Sequence, residues 1–363
     1  MQRLIDCDIH YDCRSMGDLI PYLEPAYRDL VVHSGTYGFE LPNYLWQHPS
    51  GWMRKDTYTP ELPPAVTVDQ IRADVLDRYS VTYGILIPTF VMGISIMPNL
   101  HLATALAAAH NDWTCERWLG AEPRLRGSLV VAAQHPQAAA REIRRLGGRD
   151  DIVQVILPGG ARIPYGNPFY DPIWEAAHEM GLVVAIHVFY EGHGIAGPVT
   201  AAGQMDFYIE HHTLCGVSLM GHLVSILCHG ILERFPGQKV VFVEGGVAWV
   251  PGILWRLDTN WRSTRSEVPF CKRQPSEYVW EGIRFTTQPL EAPDDPAQLA
   301  PALAGMRPAE TLCFASDYPH WDFDEPAMTL RTLPHEWRER IAFENARELY
   351  GLPVPAAPVG ASA

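Results

Sequence analysis

Residues 4–12 read LIDCDIHYD, and how this stretch is placed decides the fold. In a strand, Asp6, Asp8 and His10 point to one side while Cys7 and Ile9 point to the other. On an exposed strand such a polar stripe faces water; on a central, buried strand it needs a partner that neutralises it. The rest of the chain favours the central strand. Seven more β-rich runs follow: YGILIP (83–88), RGSLVVAA (126–133), IVQVILP (152–158), LVVAIH (182–187), KVVFVE (239–244), IRFTTQ (283–288) and TLCFASD (311–317). Helical patterns lie between most of them, at 99–119, 136–146, 170–180, 216–234 and 294–304, with RIAFENARELYGL (340–352) last. Strands alternating with helices imply parallel pairing through crossovers. Eight such units predict an α/β fold, a closed (β/α)8 TIM barrel. A doubly wound sheet is the alternative, but no GxGxxG follows any strand.

No fixed repeat and no break in composition divides residues 1–351, which read as a single barrel domain. Three connections are long. Residues 33–66 form an insertion rich in Pro, Tyr and Trp; 188–215 follow the fifth strand; 263–282 precede the seventh. In a barrel the first two lie at the C-terminal face, where binding loops belong. The segment LPVPAAPVGASA (352–363) has no periodicity and reads as an extended or disordered tail.

Bulk composition narrows the function. The 363 residues are 47% hydrophobic, enough for a sizeable core, and a formal charge of −14 argues against nucleic acid and anionic membrane as partners. Seven cysteines, an odd number without paired spacing, suit free thiols in a reducing compartment. With no signal-peptide pattern and no apolar run of spanning length, the expected location is cytoplasmic.

The strand ends carry the chemistry. The first strand ends in Asp8 and His10, the fifth in His187, the sixth in Glu244 and the eighth in Asp317. Small residues share a face with these groups: Ala315 and Cys313 with Asp317, Ala185 and Val183 with His187. Any one strand-end Asp or His is an ordinary capping or satisfied polar group. Several converging on one dry mouth repel unless a cation sits among them, and mixed carboxylate and imidazole ligands suit Zn²⁺ or Mn²⁺. Asp8 and His10 are then the expected ligands, and Asp6 a supporting or capping residue. Glu244 is expected to share an inward face with Phe242 and Val240 and to handle protons or orient water; capping the following helix is its rival role.

Nearly end to end, the chain resembles the amidohydrolase superfamily, in the amidohydrolase-2 branch that includes aminocarboxymuconate-semialdehyde and resorcylate decarboxylases. The carriers are DCDIH, HNDWTCERWLGAEPRLRGSLVV, AAREIRRLG, VVAIHVFYEG, GILERFPGQKVVFVEGGVAWVPGILWRLD, FASDYPHWD and FENARELYGL. The resemblance implies that Asp8, His10, His187 and Asp317 bind one divalent metal, with Zn²⁺ favoured over Mn²⁺, and that Asp317 also transfers a proton. Binuclear relatives bridge two metals with a lysine on the fourth strand. Here the lysines are Lys55, Lys239 and Lys272, none on that strand, so a mononuclear site is expected. Decarboxylases of this branch carry a His where this chain has Glu244, and His222 is a candidate to supply the missing imidazole. His320, just after Asp317, is placed as a loop contact with acid–base potential.

Arg256 stands about where such enzymes bind a substrate carboxylate, with a surface pair to Asp258 as the alternative. The aromatics of the first long loop (Tyr37, Phe39, Tyr44, Trp46, Trp52, Tyr58) could wall a planar substrate or pack a loop or dimer interface. Trp46 and Tyr190 are the expected contacts. The resemblance and the apolar helix start GVAWVPGILW suggest a homodimer. The expected activity is metal-dependent, non-oxidative decarboxylation of a small anionic substrate, an aromatic or unsaturated acid. Hydrolysis of an amide, lactone or activated C–C bond is the alternative.

Overall fold

The computed structural model describes residues 3–34 and 52–354. Eight strands form one sheet in chain order: β1 Leu4–Tyr11, β2 Val81–Pro88, β3 Leu125–Val130, β4 Ile152–Pro158, β5 Val183–His187, β6 Val240–Val243, β7 Ile283–Thr286 and β8 Leu312–Cys313. Every neighbouring pair is parallel. The ring closes where Cys7 N donates to Phe314 O (3.0 Å), Asp317 N to Asp8 O (3.1 Å) and His10 N to Tyr318 O (2.7 Å). This is the (β/α)8 barrel.

The last strand is shorter than its apolar run. Beyond Cys313, side chains replace ladder partners: Ala315 N donates to Thr287 Oγ1 (3.2 Å) and Ser316 N to Asp6 Oδ1 (3.0 Å). Asp6 Oδ1 also accepts from Asp8 N (3.2 Å). Its carboxylate therefore ties the end of the ring to its beginning, the supporting role expected of it.

Helices cover the outside, among them Leu100–Thr114, Pro136–Leu146, Asp171–Met180, Gly216–Cys228 and Trp249–Thr264. Asp171–Met180 stops at Gly181, whose φ of +67° is left-handed backbone that glycine adopts without strain. One expectation needs correction. The successive helices Tyr208–Leu214 and Gly216–Cys228 make a 21-residue stretch with an 18-residue window of mean hydropathy 1.2, long and apolar enough by length and composition to cross a membrane. The helical pattern at 216–234 leaves out Tyr208–Leu214, which supplies the added length. In the fold its face bearing Leu219, Leu223, Ile226 and Leu227 is buried.

Candidate active site

The expected groups meet at the C-terminal mouth of the barrel. His187, at the last position of β5, presents Nε2 at 3.3 Å from His10 Nε2. Each imidazole is oriented through its other nitrogen. His187 Nδ1 donates to Val188 O (3.0 Å), and His10 Nδ1 lies 3.3 Å from Thr89 Oγ1. Both Nε2 atoms thus face the same point. Around them stand Asp8 Oδ1 (3.2 Å from His10 Nε2), Asp317 Oδ1 (3.1 Å from it) and Glu244 Oε2 (2.9 Å from His187 Nε2). His320 Nδ1 lies 2.6 Å from Asp317 Oδ1. All six side chains are buried.

Glu244 reaches this point by a route that alternation does not foresee. His187 is in register with Val243 and Ala185 with Val241, whereas Phe242 is in register with Ile186. Phe242 stacks on Phe285 (5.6 Å), which meets Trp249 of the outer helix edge-on (5.9 Å). Val240 and Phe242 therefore face the helices, not the lumen, and Glu244 does not share an inward face with them. Its φ of +60° ends the strand and turns the carboxylate inward. Asp317 also has φ +60°, and Phe189 and Tyr190 have +79° and +70°. Left-handed non-glycine residues cost ~1–3 kcal/mol each and cluster where surrounding structure holds a functional group in place. Capping of the next helix falls to another residue: Glu291 accepts from Val247 N (2.9 Å to Oε2) and Ala248 N (3.3 Å).

The electrostatics call for a cation. Among the described residues, both oxygens of Asp8 and Oε2 of Glu244 are buried without a hydrogen-bond partner. Burial pushes the His187 imidazole down, but the charge of Glu244 and the close approach of the Asp8 and Glu244 carboxylates outweigh it and drive the pKa up to about 10. Burial, then the negative charge of Glu244, raises the Asp317 carboxyl well above its usual range. His320 is held well below its usual value by burial and by neighbouring His10. Three carboxylates and three imidazoles in one dry cluster are the arrangement a divalent ion stabilises. Two sets of donor atoms, each within 4.8 Å of one another, share His10 and Glu244: one adds Asp8 and His187, the other Asp317 and His320. The residues present fit a metal ion.

The cluster opens into a pocket lined by His10, His187, Glu244 and His320 on one side and by the aromatic rings of Trp52, Phe90, Phe189, Tyr190, Tyr208 and Trp321 on the other. Trp52 meets Tyr208 edge-to-face at 5.1 Å. The Tyr190 hydroxyl donates to Thr89 O (2.7 Å), so its ring, not its OH, faces a ligand. Gly93 makes room for it, since a Cβ there would stand 2.9 Å from Tyr190 Cε1.

Other expected residues lie elsewhere. His222 packs against the Tyr165 ring (4.5 Å), its Nε2 2.8 Å from Gly159 O and its Nδ1 accepting from Tyr165 N (3.2 Å). Both nitrogens are occupied by backbone, and it does not supply the missing imidazole at the pocket. Arg256 is exposed on the helix Trp249–Thr264 and does not line the pocket. Nor does it pair with Asp258, whose carboxylate is engaged by Ser276 N (3.0 Å) and Gln274 Nε2 (2.8 Å). Trp46, with Tyr37, Phe39 and Tyr44, lies outside the described residues. Sequence reading missed His193, His211 and Asp322, which also line the pocket. The HH pair in the loop 188–215 was the available signal.

The Amidohydrolase family model matches residues 5–352. The chain belongs to the amidohydrolase family. It is a metal-dependent enzyme of that family. This amidohydrolase is 23% identical over 339 residues to the gamma-resorcylate decarboxylase of Rhodococcus jostii (strain RHA1), covering 86% of this chain and 96% of that one. Its fold is similar to that of 5-carboxyvanillate decarboxylase from Sphingomonas paucimobilis (TM-score 0.68, 23% identity, 97% and 99% coverage). It is also similar to a dihydroxybenzoic acid decarboxylase from Polaromonas sp. JS666, solved with bound manganese and the inhibitor 2-nitroresorcinol (TM-score 0.65, 16% identity, 97% and 98% coverage).

Proposed function

We propose that this amidohydrolase is a non-oxidative decarboxylase of an aromatic carboxylic acid. One observation carries the reading: the buried donor cluster opens directly onto a pocket walled by aromatic rings, so a planar acid can set its carboxylate on the cluster and its ring among those faces. The decarboxylases among its relatives support it. Asp8, His10, His187 and Asp317 would hold one divalent ion, the other three all standing close to His10 Nε2, with Glu244 beside them. When bound, that ion supplies positive charge for the substrate carboxylate and an adjacent oxygen. Three carboxylates in the donor set make Mn²⁺ as suitable as Zn²⁺.

The remaining chemistry belongs to the chain. Asp317 and His320, 2.6 Å apart, hold a proton between them and deliver it to the ring carbon that loses CO₂. One C–C bond breaks, one C–H bond forms, and no redox partner is needed. Tyr190 and Phe189 wall the ring and exclude water. The test is CO₂ release from a panel of aromatic acids by metal-loaded protein, set against amide and lactone panels. Acid-only turnover is expected; amide or lactone hydrolysis without CO₂ release would favour the hydrolase reading.

In this reading residues 1–351 act as one catalytic domain, in the cytoplasm, where the seven cysteines, none disulfide-bonded, suit a reducing milieu. The assembly is a homodimer. On the helix Trp249–Thr264, Trp255 is 60% exposed, a large apolar side chain that a second copy would cover. Light scattering at micromolar concentration is expected to give twice the 40.7 kDa chain mass, and a monomer there contradicts the dimer.

A further inference from the structure

We infer that Asp322, held by His212 and Gln288 on the pocket wall, is a specificity determinant that accepts a hydrogen bond from a donor substituent, a hydroxyl or amino group, on the ring of the bound acid. The inference rests on the aromatic-acid reading above.

Asp322 lines the pocket but lies outside both sets of metal-donor residues. Its Oδ2 is 3.2 Å from His212 Nε2 and accepts from Gln288 Nε2 at 3.0 Å. The same Gln288 amide reaches Asp317 Oδ2 at 3.3 Å, so one side chain fixes Asp322 relative to the cluster. His212 is itself boxed by rings: Tyr208 at 5.4 Å, Trp321 at 5.5 Å and Phe189 at 6.5 Å. With 14% and 18% of their side-chain surfaces exposed, Asp322 and His212 are largely removed from water. Among the described residues no hydrogen bond reaches Asp322 Oδ1. A carboxylate with one oxygen clamped and the other left over can only accept, and it does so most strongly in a half-dry wall. An acid seated with its carboxylate on the cluster brings a ring substituent toward this wall. A hydroxyl or amino group there gains a charge-assisted bond; a methyl ether gains none, and a second carboxylate meets like charge.

The test uses the full-length, Mn²⁺-loaded enzyme and 2,3-, 2,4-, 2,5- and 2,6-dihydroxybenzoate, each paired with its analogue methylated at the second hydroxyl. Kd is measured by calorimetry, and kcat/KM for any acid that loses CO₂. Wild type is expected to prefer the free hydroxyl by about tenfold or more in at least one pair, the range of a charge-assisted hydrogen bond. In Asp322→Asn the carboxamide oxygen still accepts from His212 and Gln288 and its NH₂ faces the pocket, so the preference collapses to about unity or reverses. Asp322→Glu keeps the charge but moves the acceptor by one methylene; it must shrink the same ratio and serves if the Asn variant fails to fold. A wild type with no preference in any pair, or variants that keep the wild-type ratio, would overturn the inference. Binding is read without turnover. A preference abolished by Asp322→Asn in an enzyme that releases no CO₂ supports the inference while decarboxylation fails. CO₂ release with an untouched ratio does the reverse.

Discussion

His187→Ala is expected to strip the protein of its metal and lower kcat/KM by ~10³-fold or more, the several kcal/mol that a Lewis-acid site contributes. His187 Nε2 stands 2.9 Å from Glu244 Oε2, 3.7 Å from Asp8 Oδ2 and 3.3 Å from His10 Nε2, so it touches most of the donors at once. Without it the site loses one of its two imidazole donors at the point where Asp8 and Glu244 converge, and the remaining groups hold an ion less tightly. Asp317→Ala should have the same effect from the other side of His10, 3.1 Å away. Elemental analysis of the purified variants, beside a wild type expected to carry one Zn²⁺ or Mn²⁺ per chain, checks this. A His187→Ala protein with wild-type metal content, or a wild type fully active after exhaustive chelation, contradicts it.

Glu244→Gln carries the second-largest effect. The substitution keeps shape and removes charge and basicity. Because Oε2 lies among the donor atoms and the next helix is capped by Glu291, the change should be felt in chemistry rather than in helix stability. We expect kcat to fall by ~10²-fold or more, the contribution of a positioned acid, base or water-orienting group, with the fold unchanged and a weaker hold on the ion. Glu291→Gln is the control: it should lower thermal stability while kcat per metal-loaded chain stays the same. Wild-type kcat in Glu244→Gln would move the acid–base role wholly to Asp317 and His320.

The barrel was legible because all eight strands announce themselves as apolar runs bounded by helical periods, and each observed strand falls within three residues of its expected start. Asp8, His10, His187 and Asp317 were legible for a related reason: strand ends in a closed barrel share one mouth. Glu244 reaches the barrel mouth, but not on the ground that alternation suggests. Alternation puts it with Phe242, on the helix side, and only the left-handed turn at 244 brings it inward, a local conformation that period-2 reasoning does not contain. His222 misled because an imidazole on an apolar helix looks the same in sequence whether it seeks a ligand or, as here, satisfies two backbone groups. Arg256 failed in the same way, since helical phase says which residue is exposed but not whether it overhangs a pocket. Asp322, His193 and His211 sit in irregular segments or a short helix where no periodicity constrains direction, so their place on the pocket wall, and that of His212 beside Asp322, follows only from the three-dimensional fold.

The most direct test runs the Mn²⁺-loaded protein in D₂O with the dihydroxybenzoate panel and follows products by NMR. The account predicts one CO₂ per product molecule and one deuterium on the ring carbon that carried the carboxylate, with both lost in Asp317→Ala. A metal-loaded protein that releases no CO₂ from any aromatic acid, yet hydrolyses members of the amide or lactone panel, would contradict it.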